Sequence, residues 1–232
     1  MEINKEIVNS QIDTIYRENF FSLKIICQHL KIWDNYSDEE KFDIENVTLR
    51  DSLINGHFKY DKTYDKSLTY GEISKLGGSI LYDFIKKNKD ITDKDIFVDL
   101  GSGLGKLVLQ LGAISEFKTL LGIEISDIRY QYSKYLQEKV GILNKDIFFL
   151  NKDIKDFDLS IFTVVFCDNV TWDIEFCNSI WERLQKGCHY ITYKKVEKFS
   201  HHEVINLPTT WVVPQKGDFK KFKTVEFNYY IK

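Results

Sequence analysis

The sequence predicts an α/β fold: a doubly wound, mostly parallel sheet with an antiparallel C-terminal strand, preceded by an N-terminal helical segment. Three observations carry that prediction. From residue 96, short and nearly continuous apolar runs alternate with amphipathic stretches of helical period, as in strands buried on both faces and joined by crossover helices. Between the first such strand and helix, "DIFVDLGSGLGKLVLQLGAI" (95–114) sets Gly101, Gly103 and Gly105 two residues apart, where sheets of this kind hold ligands. The last two apolar runs have no helix between them and read as an antiparallel pair.

Ile3, Ile7, Ile12, Ile15, Tyr16, Phe20, Leu23, Ile26 and Leu30 recur at threes and fours, predicting a helix from residue 3 to about 32 that "DNYSDEEK" (34–41) stops. Residues 42–70 are turn-rich and read as irregular or short helical. "EISKLGGSILYDFIKKN" (72–88) is helical in pattern, although Gly77 and Gly78 each cost about 1 kcal/mol of propensity, so a neighbour must approach closely there. The sheet region then reads in order. A strand at 96–100 leads to a helix at 105–115. A strand at 119–125 leads to a helix at 127–140, capped by Asp127 and ended by Gly141. Strands at 146–151 and 161–169 precede a helix at 173–186 that stops at Gly187. A strand at 188–195 and the pair "EVINLPTTWVV" and "TVEFNYYIK" complete the chain. The expected division is a helical segment 1–70 and a domain 71–232.

The 232 residues are 43% hydrophobic and 15% aromatic, enough for a real core, and the net charge of −3 demands neither nucleic acid nor an acidic membrane. "YKKVEK" (193–198) and "KKFK" (220–223) are lysine clusters that, taken alone, read as solvated faces. Cys27, Cys167, Cys177 and Cys188 form no CxxC pair, which fits reduced thiols better than a disulfide framework or zinc site. Neither a signal-peptide pattern nor a membrane-length apolar run is present, so a soluble, intracellular protein is expected. Neither a metal cluster nor a Ser-His-Asp arrangement appears, and His201–His202 stands unaccompanied.

The glycine turn does not match a phosphate cradle. A P-loop would need glycine where Leu100 stands and Ser or Thr where Leu107 stands; a dinucleotide turn would need glycine in place of Lys106. What remains is Asp99-x-Gly101-x-Gly103-x-Gly105 with Glu124 ending the second strand. That set suits a ligand with a ribose and an amino-acid tail but no phosphate: the glycines let the backbone approach, Asp99 organises an ammonium, and Glu124 accepts from ribose hydroxyls. S-adenosylmethionine is such a molecule, and the fold class becomes the Rossmann-like class I methyltransferase. Asp153, just after the third strand in "FFLNKDIKDF", falls where an adenine amino group would lie.

The run D-L-G-S-G-x-G-x-x-V-L-Q (99–110), with "YGEIS" upstream, "GIEISDI" downstream and "VVFCDNVTW" after the fourth strand, resembles the disruptor-of-telomeric-silencing family over roughly residues 60–195. These are non-SET enzymes that methylate lysine seventy-nine of histone H3 on the nucleosome. The resemblance implies that Tyr70, Gly71 and Glu72 close over the methionine end of the cofactor, with Asp99, Gly101, Gly103, Gly105, Glu124 and Asp153 around the rest. It implies that Asp168, Asn169 and Trp172 lie beside the departing methyl group and the lysine entry, with Tyr70 and Trp211 as further walls and Asp168 touching the cofactor as well. Three positions depart from the family pattern: Asp168 for Asn, Lys106 for Gln and Ile73 for Thr.

Transfer to lysine needs an unprotonated amine, which an aromatic channel favours by desolvating the ammonium. Trp172, Trp211 and Tyr70 are the first candidates for its walls, and Phe219, Tyr229 and Tyr230 the second. The resemblance implies a nucleosome as partner, through histone H3 and through DNA held by the two lysine clusters, because residues 1–60 are acidic overall. A monomer is expected, in the nucleus (a host nucleus for a viral chain) or otherwise the cytoplasm. Two other readings stay open: the same chemistry on another protein lysine, a nucleic acid or a small molecule, and a cofactor-binding module without catalysis.

Overall fold

The computed structural model describes residues 5–17, 34, 37–38, 72–141, 144–197, 203–209 and 223–232. The elements are α1 (Lys5–Arg17), α2 (Lys75–Asn88), β1 (Ile96–Leu100), α3 (Lys106–Ile114), β2 (Thr119–Glu124), α4 (Asp127–Val140), β3 (Asp146–Asn151), β4 (Val164–Cys167), α5 (Ile174–Arg183), β5 (His189–Thr192), β6 (Glu203–Thr209) and β7 (Lys223–Ile231). Short 3-10 turns at Ile154–Asp156 and Leu159–Ile161 lie between β3 and β4.

The strands form one sheet of order β3-β2-β1-β4-β5-β7-β6. β1 to β5 pair in parallel, and β7 is antiparallel to both β5 and β6. The expected final pair is therefore present, with β7 inserted next to β5 and β6 left at the edge. Strand order runs outward from β1 in both directions, so the switch point lies at the carboxyl ends of β1 and β4. This is the class I S-adenosylmethionine-dependent methyltransferase arrangement.

Burial on both faces explains why the parallel strands read as unbroken apolar runs. Phe97 belongs to the core beneath α2 and α3, while its neighbours Val98 and Leu100 face the other layer with Ile180, Trp181 and Tyr190; all three β1 residues are fully buried. α1 lays Ile12 and Ile15 against α3 and α4, and both are buried. The rest of the helix expected to reach about residue 32 lies outside the described residues. Cys167, Cys177 and Cys188 are buried free thiols, and Cys27 is not among the described residues.

The two adjacent glycines of α2 have separate reasons. A Cβ on Gly77 would lie 2.6 Å from the Pro208 carbonyl oxygen of β6, and one on Gly78 would lie 2.3 Å from Gln110 Oε1 of α3. α2 starts at Lys75 rather than 72 because Ile73 bridges to Thr209 and the Ser74 N–H donates to the Pro208 carbonyl at 2.8 Å. Ser74 then caps the helix, its Oγ accepting from the Gly77 N–H at 3.1 Å.

Other boundaries move for similar reasons. The N-cap of α4 is Ser126, not Asp127, because the Glu124 carboxylate holds the Ser126 N–H. α5 ends at Arg183 instead of 186: Leu184 turns extended and buried, and Gln185 donates to the Phe162 carbonyl at 2.7 Å. β4 is shorter than 161–169 because Leu159–Ile161 is a 3-10 turn capped by Asp158, and Asp168 and Asn169 lie beyond the strand's end. β5 stops at Thr192, two residues before the Lys194 N–H is taken by Asn169 Oδ1.

Candidate functional site at the glycine turn

Gly101, Gly103 and Gly105 all adopt left-handed backbone, with φ of 78°, 54° and 75°. The turn is pinned to β2: the N–H groups of Gly101 and Ser102 both donate to the Ile123 carbonyl, at 2.8 and 3.0 Å. Glu124, 4% exposed, then clasps the turn from its side. Its Oε2 accepts from the Gly103 N–H at 2.8 Å, its Oε1 from the Ser126 N–H at 2.9 Å, and Arg129 Nη1 lies 3.9 Å away. A carboxylate has about four acceptor positions, so two backbone donors leave it capacity for more.

Gly101 and Gly105 serve different neighbours. A Cβ on Gly101 would lie 3.1 Å from Trp172 Cζ2, so the indole of the loop after β4 covers the turn. A Cβ on Gly105 would lie 2.4 Å from Phe149 Cε1, which is packing of the turn against β3.

Asp99 near the end of β1 is buried, and burial pushes its carboxyl well above the ordinary aspartate range; the charges of Asp168 and Glu124 push it further. Three carboxylates thus converge on the carboxyl ends of β1, β2 and β4. Asn169 is fully buried and stitches its own loop: Oδ1 accepts from the Lys194 N–H at 2.8 Å and Nδ2 donates to Cys177 Sγ at 3.1 Å. The Trp172 N–H returns to the Asn169 carbonyl at 3.2 Å, the Lys194 ammonium donates to the Trp172 carbonyl, and Trp172 packs on Phe176 at 5.2 Å. Asp153 lies two residues past β3 and caps the first 3-10 turn, accepting from the Lys155 N–H at 2.9 Å.

Glu72, just before α2, receives the Lys106 ammonium at 2.9 Å. Tyr16 of α1 stands beside this pair. Its hydroxyl donates to Gln110 Oε1 at 2.7 Å, and its ring centre is 5.9 Å from Lys106 Nζ. Burial pushes the Tyr16 hydroxyl well above its ordinary range, with the charges of Glu72 and Asp99 adding.

Among the sequence candidates, Asp99, Gly101, Gly103, Gly105, Glu124, Asp168 and Trp172 are brought together. Glu72 joins them through Lys106, and Asp153 lies at the adjoining strand end. Tyr70, Gly71, Trp211 and Phe219 lie outside the described residues. Tyr229 and Tyr230 are packing residues instead of channel walls: the Tyr229 hydroxyl meets His189 Nδ1 at 2.6 Å, and the Tyr230 hydroxyl accepts from the Val196 N–H at 3.0 Å. Sequence reading passed over Tyr16, the partner of Lys106, and Lys194. Tyr16 read as one more position of an apolar stripe and Lys194 as part of a solvated cluster, because their partners are distant in sequence.

The family described as histone methylation protein DOT1 matches residues 58–227. The H3 lysine-79 specific histone-lysine N-methyltransferase of Caenorhabditis elegans is 27% identical over 171 residues, covering 66% of this chain and 17% of that protein. The enzyme of the same name from Drosophila melanogaster is 35% identical over 74 residues, covering 30% of this chain and 4% of its own length. The chain spans less than a fifth of either relative. An RNA methyltransferase from Salinibacter ruber, solved with S-adenosyl-L-homocysteine, is 18% identical at a TM-score of 0.44, covering 65% of this chain and 89% of its own. The family match takes in all the described elements from α2 to β6 and most of β7, and on that extent the chain belongs to the DOT1 histone methylation protein family.

Proposed function

We propose that the chain is an S-adenosylmethionine-dependent protein-lysine N-methyltransferase that acts on a core lysine of histone H3, of the lysine seventy-nine type, in the nucleosome. The observation that carries this reading is the convergence at the switch point: three carboxylates near a glycine turn that Trp172 covers, in a chain of this family. The residues fit the cofactor by charge and by space. Asp99, Asp168 and Glu124 make an anionic pocket for a molecule with an ammonium and a sulfonium. The left-handed glycines let its backbone-sized tail approach, and Glu124 keeps acceptor capacity for a ribose.

When bound, S-adenosylmethionine supplies an activated methyl group, so the protein's part is alignment, water exclusion and an unprotonated acceptor. In this reading Asp99 holds the tail ammonium, Glu124 the ribose and Asp153 the adenine, while Tyr70, Gly71 and Glu72 close the methionine end. Trp172 and Trp211 desolvate the entering lysine, whose ordinary pKa is about 10.4, and their faces attract it while it is still a cation. Asp168 draws the cation in, and Asn169 keeps Trp172 over the turn. Lys194 is engaged with Trp172, so DNA contact falls to the exposed Lys195, to Lys198 and to the lysines at 220, 221 and 223. The reading includes a helical segment 1–70 and a methyltransferase domain 71–232, a monomer, and a nuclear location.

The test is transfer of labelled methyl from S-adenosylmethionine to recombinant nucleosomes, free octamer and free DNA. Label on H3 in nucleosomes alone supports the proposal. Label on DNA or on another protein changes the acceptor. Label on none, with measurable cofactor binding, overturns catalysis.

A further inference from the structure

Helix α1 lies outside the stretch the family matches, residues 58–227, yet it reaches the site. Ile12 and Ile15 anchor it in the core, and Asp13 receives the Lys75 ammonium of α2. Tyr16 then donates to Gln110 of α3, whose Nε2 donates in turn to the Lys75 carbonyl at 2.7 Å and to Ser79 Oγ at 3.1 Å. One amide therefore joins three helices around Tyr16.

Lys106 makes the arrangement informative. It is the first residue of α3, where the helix dipole disfavours a cation, and its side chain is 2% exposed, where burial disfavours one again. The ammonium is held there by the Glu72 carboxylate at 2.9 Å and by the face of the Tyr16 ring at 5.9 Å. Its other end is the glycine turn itself, since Gly105 immediately precedes it. Glu72, the turn and α1 are thus coupled through one lysine.

We propose that Tyr16 and Lys106 are positioning residues for the methyl-donor site: Tyr16 fixes Lys106 and Gln110, Lys106 fixes Glu72 against the glycine turn, and α1 becomes a working part of cofactor binding. This rests on the methyl-donor reading above. Neither residue need touch the cofactor. Their effect is to hold Glu72 and the start of α3 in the geometry the cofactor meets.

The experiment uses the full chain and S-adenosyl-L-homocysteine, titrated by calorimetry into wild type, Lys106→Met, Lys106→Arg, Tyr16→Leu and Tyr16→Phe, with hydrogen exchange of the α1 amides in each state. Lys106→Met and Tyr16→Leu are expected to weaken binding about tenfold, the scale of one charge-assisted contact, with Lys106→Arg recovering most of it. Amides of residues 12–17 are expected to exchange more slowly on binding in wild type and not in Lys106→Met. A merely structural role would lower the melting temperature without abolishing that coupling. Folded Lys106→Met and Tyr16→Leu proteins that bind within twofold of wild type overturn the proposal. If Tyr16→Leu does not fold, Tyr16→Phe decides: an affinity loss of about threefold supports it and unchanged affinity overturns it. Wild type that binds no S-adenosyl-L-homocysteine overturns the methyl-donor reading itself, and this proposal with it.

Discussion

Lys106 and Glu72 form an ion pair of 2.9 Å in which the lysine side chain is 2% exposed and the glutamate 14%. The asymmetry decides what each truncation does. Glu72→Ala leaves a buried ammonium at a helix N-terminus and is expected to destabilise the fold by about 3–5 kcal/mol. Lys106→Met leaves a carboxylate that water can reach and costs less. The double variant Glu72→Ala, Lys106→Met should recover most of the loss. Denaturant midpoints of the four proteins check the order.

The glycines separate site from scaffold. Gly101→Arg should abolish S-adenosyl-L-homocysteine binding while leaving a folded protein, because its side chain must enter the space between the turn and Trp172. Gly105→Ala should instead lower stability strongly, since its Cβ would sit 2.4 Å from the Phe149 ring in a left-handed backbone. Gly141→Ala meets nothing within 4 Å and should cost only backbone strain, about 1–3 kcal/mol for the glycine-only conformation at φ 79° and ψ −157°. Melting and cofactor titration on the three variants distinguish these outcomes.

Asp99 predicts a pH dependence with a definite sign. Its carboxyl is raised in the folded protein, first by burial and then by Asp168 and Glu124, so the folded state holds the proton more tightly than the unfolded chain. Stability from this group is full below the unfolded pKa, about 3.9, and is lost as pH rises through the raised folded value. Asp99→Asn should therefore stabilise the cofactor-free protein, with a gain that grows over that window, while weakening cofactor binding. A cationic cofactor stabilises ionised Asp99, so binding should release a proton. Calorimetry in buffers of different ionisation enthalpy measures it.

Asn169 holds the Asp168–Trp172 loop through the Lys194 N–H and Cys177 Sγ. Asn169→Ala leaves that N–H without its acceptor, for an expected cost of about 1–3 kcal/mol. Methyl transfer should fall further than cofactor affinity, because Trp172 loosens over the acceptor side. Asn169→Asp keeps the acceptor for Lys194 but buries a further carboxylate beside Asp168 and loses the donor to Cys177, so it should lose at least as much stability. Single-turnover rates beside melting curves separate the two effects.

Much of this was legible locally. The strand β1 has the bounds its apolar run predicted, and α4 and β3 match residue for residue, because burial on both faces and helical amphipathicity are written in neighbouring residues. The glycine turn was legible as well: three glycines two apart after a buried strand read as a turn of close backbone approach, and the structure gives each a left-handed backbone. Element ends were less so. α5 stops early because Phe162 takes Gln185, and β5 stops where Asn169 takes Lys194, partners 23 and 25 residues away.

By itself, the sequence determined a parallel sheet, the position of the turn and the acids Asp99 and Glu124 near strand ends, since strand and helix periods are local and their alternation implies parallel pairing. Only the tertiary structure decided what the exceptions mean. Gly77 and Gly78 answer to β6 and to Gln110, and Lys106 is a buried cation matched to Glu72 and to a tyrosine 90 residues upstream. The reason is physical. A buried charge or a missing Cβ is explained by whatever packs against it, and those neighbours come from helices that meet only when the sheet has formed.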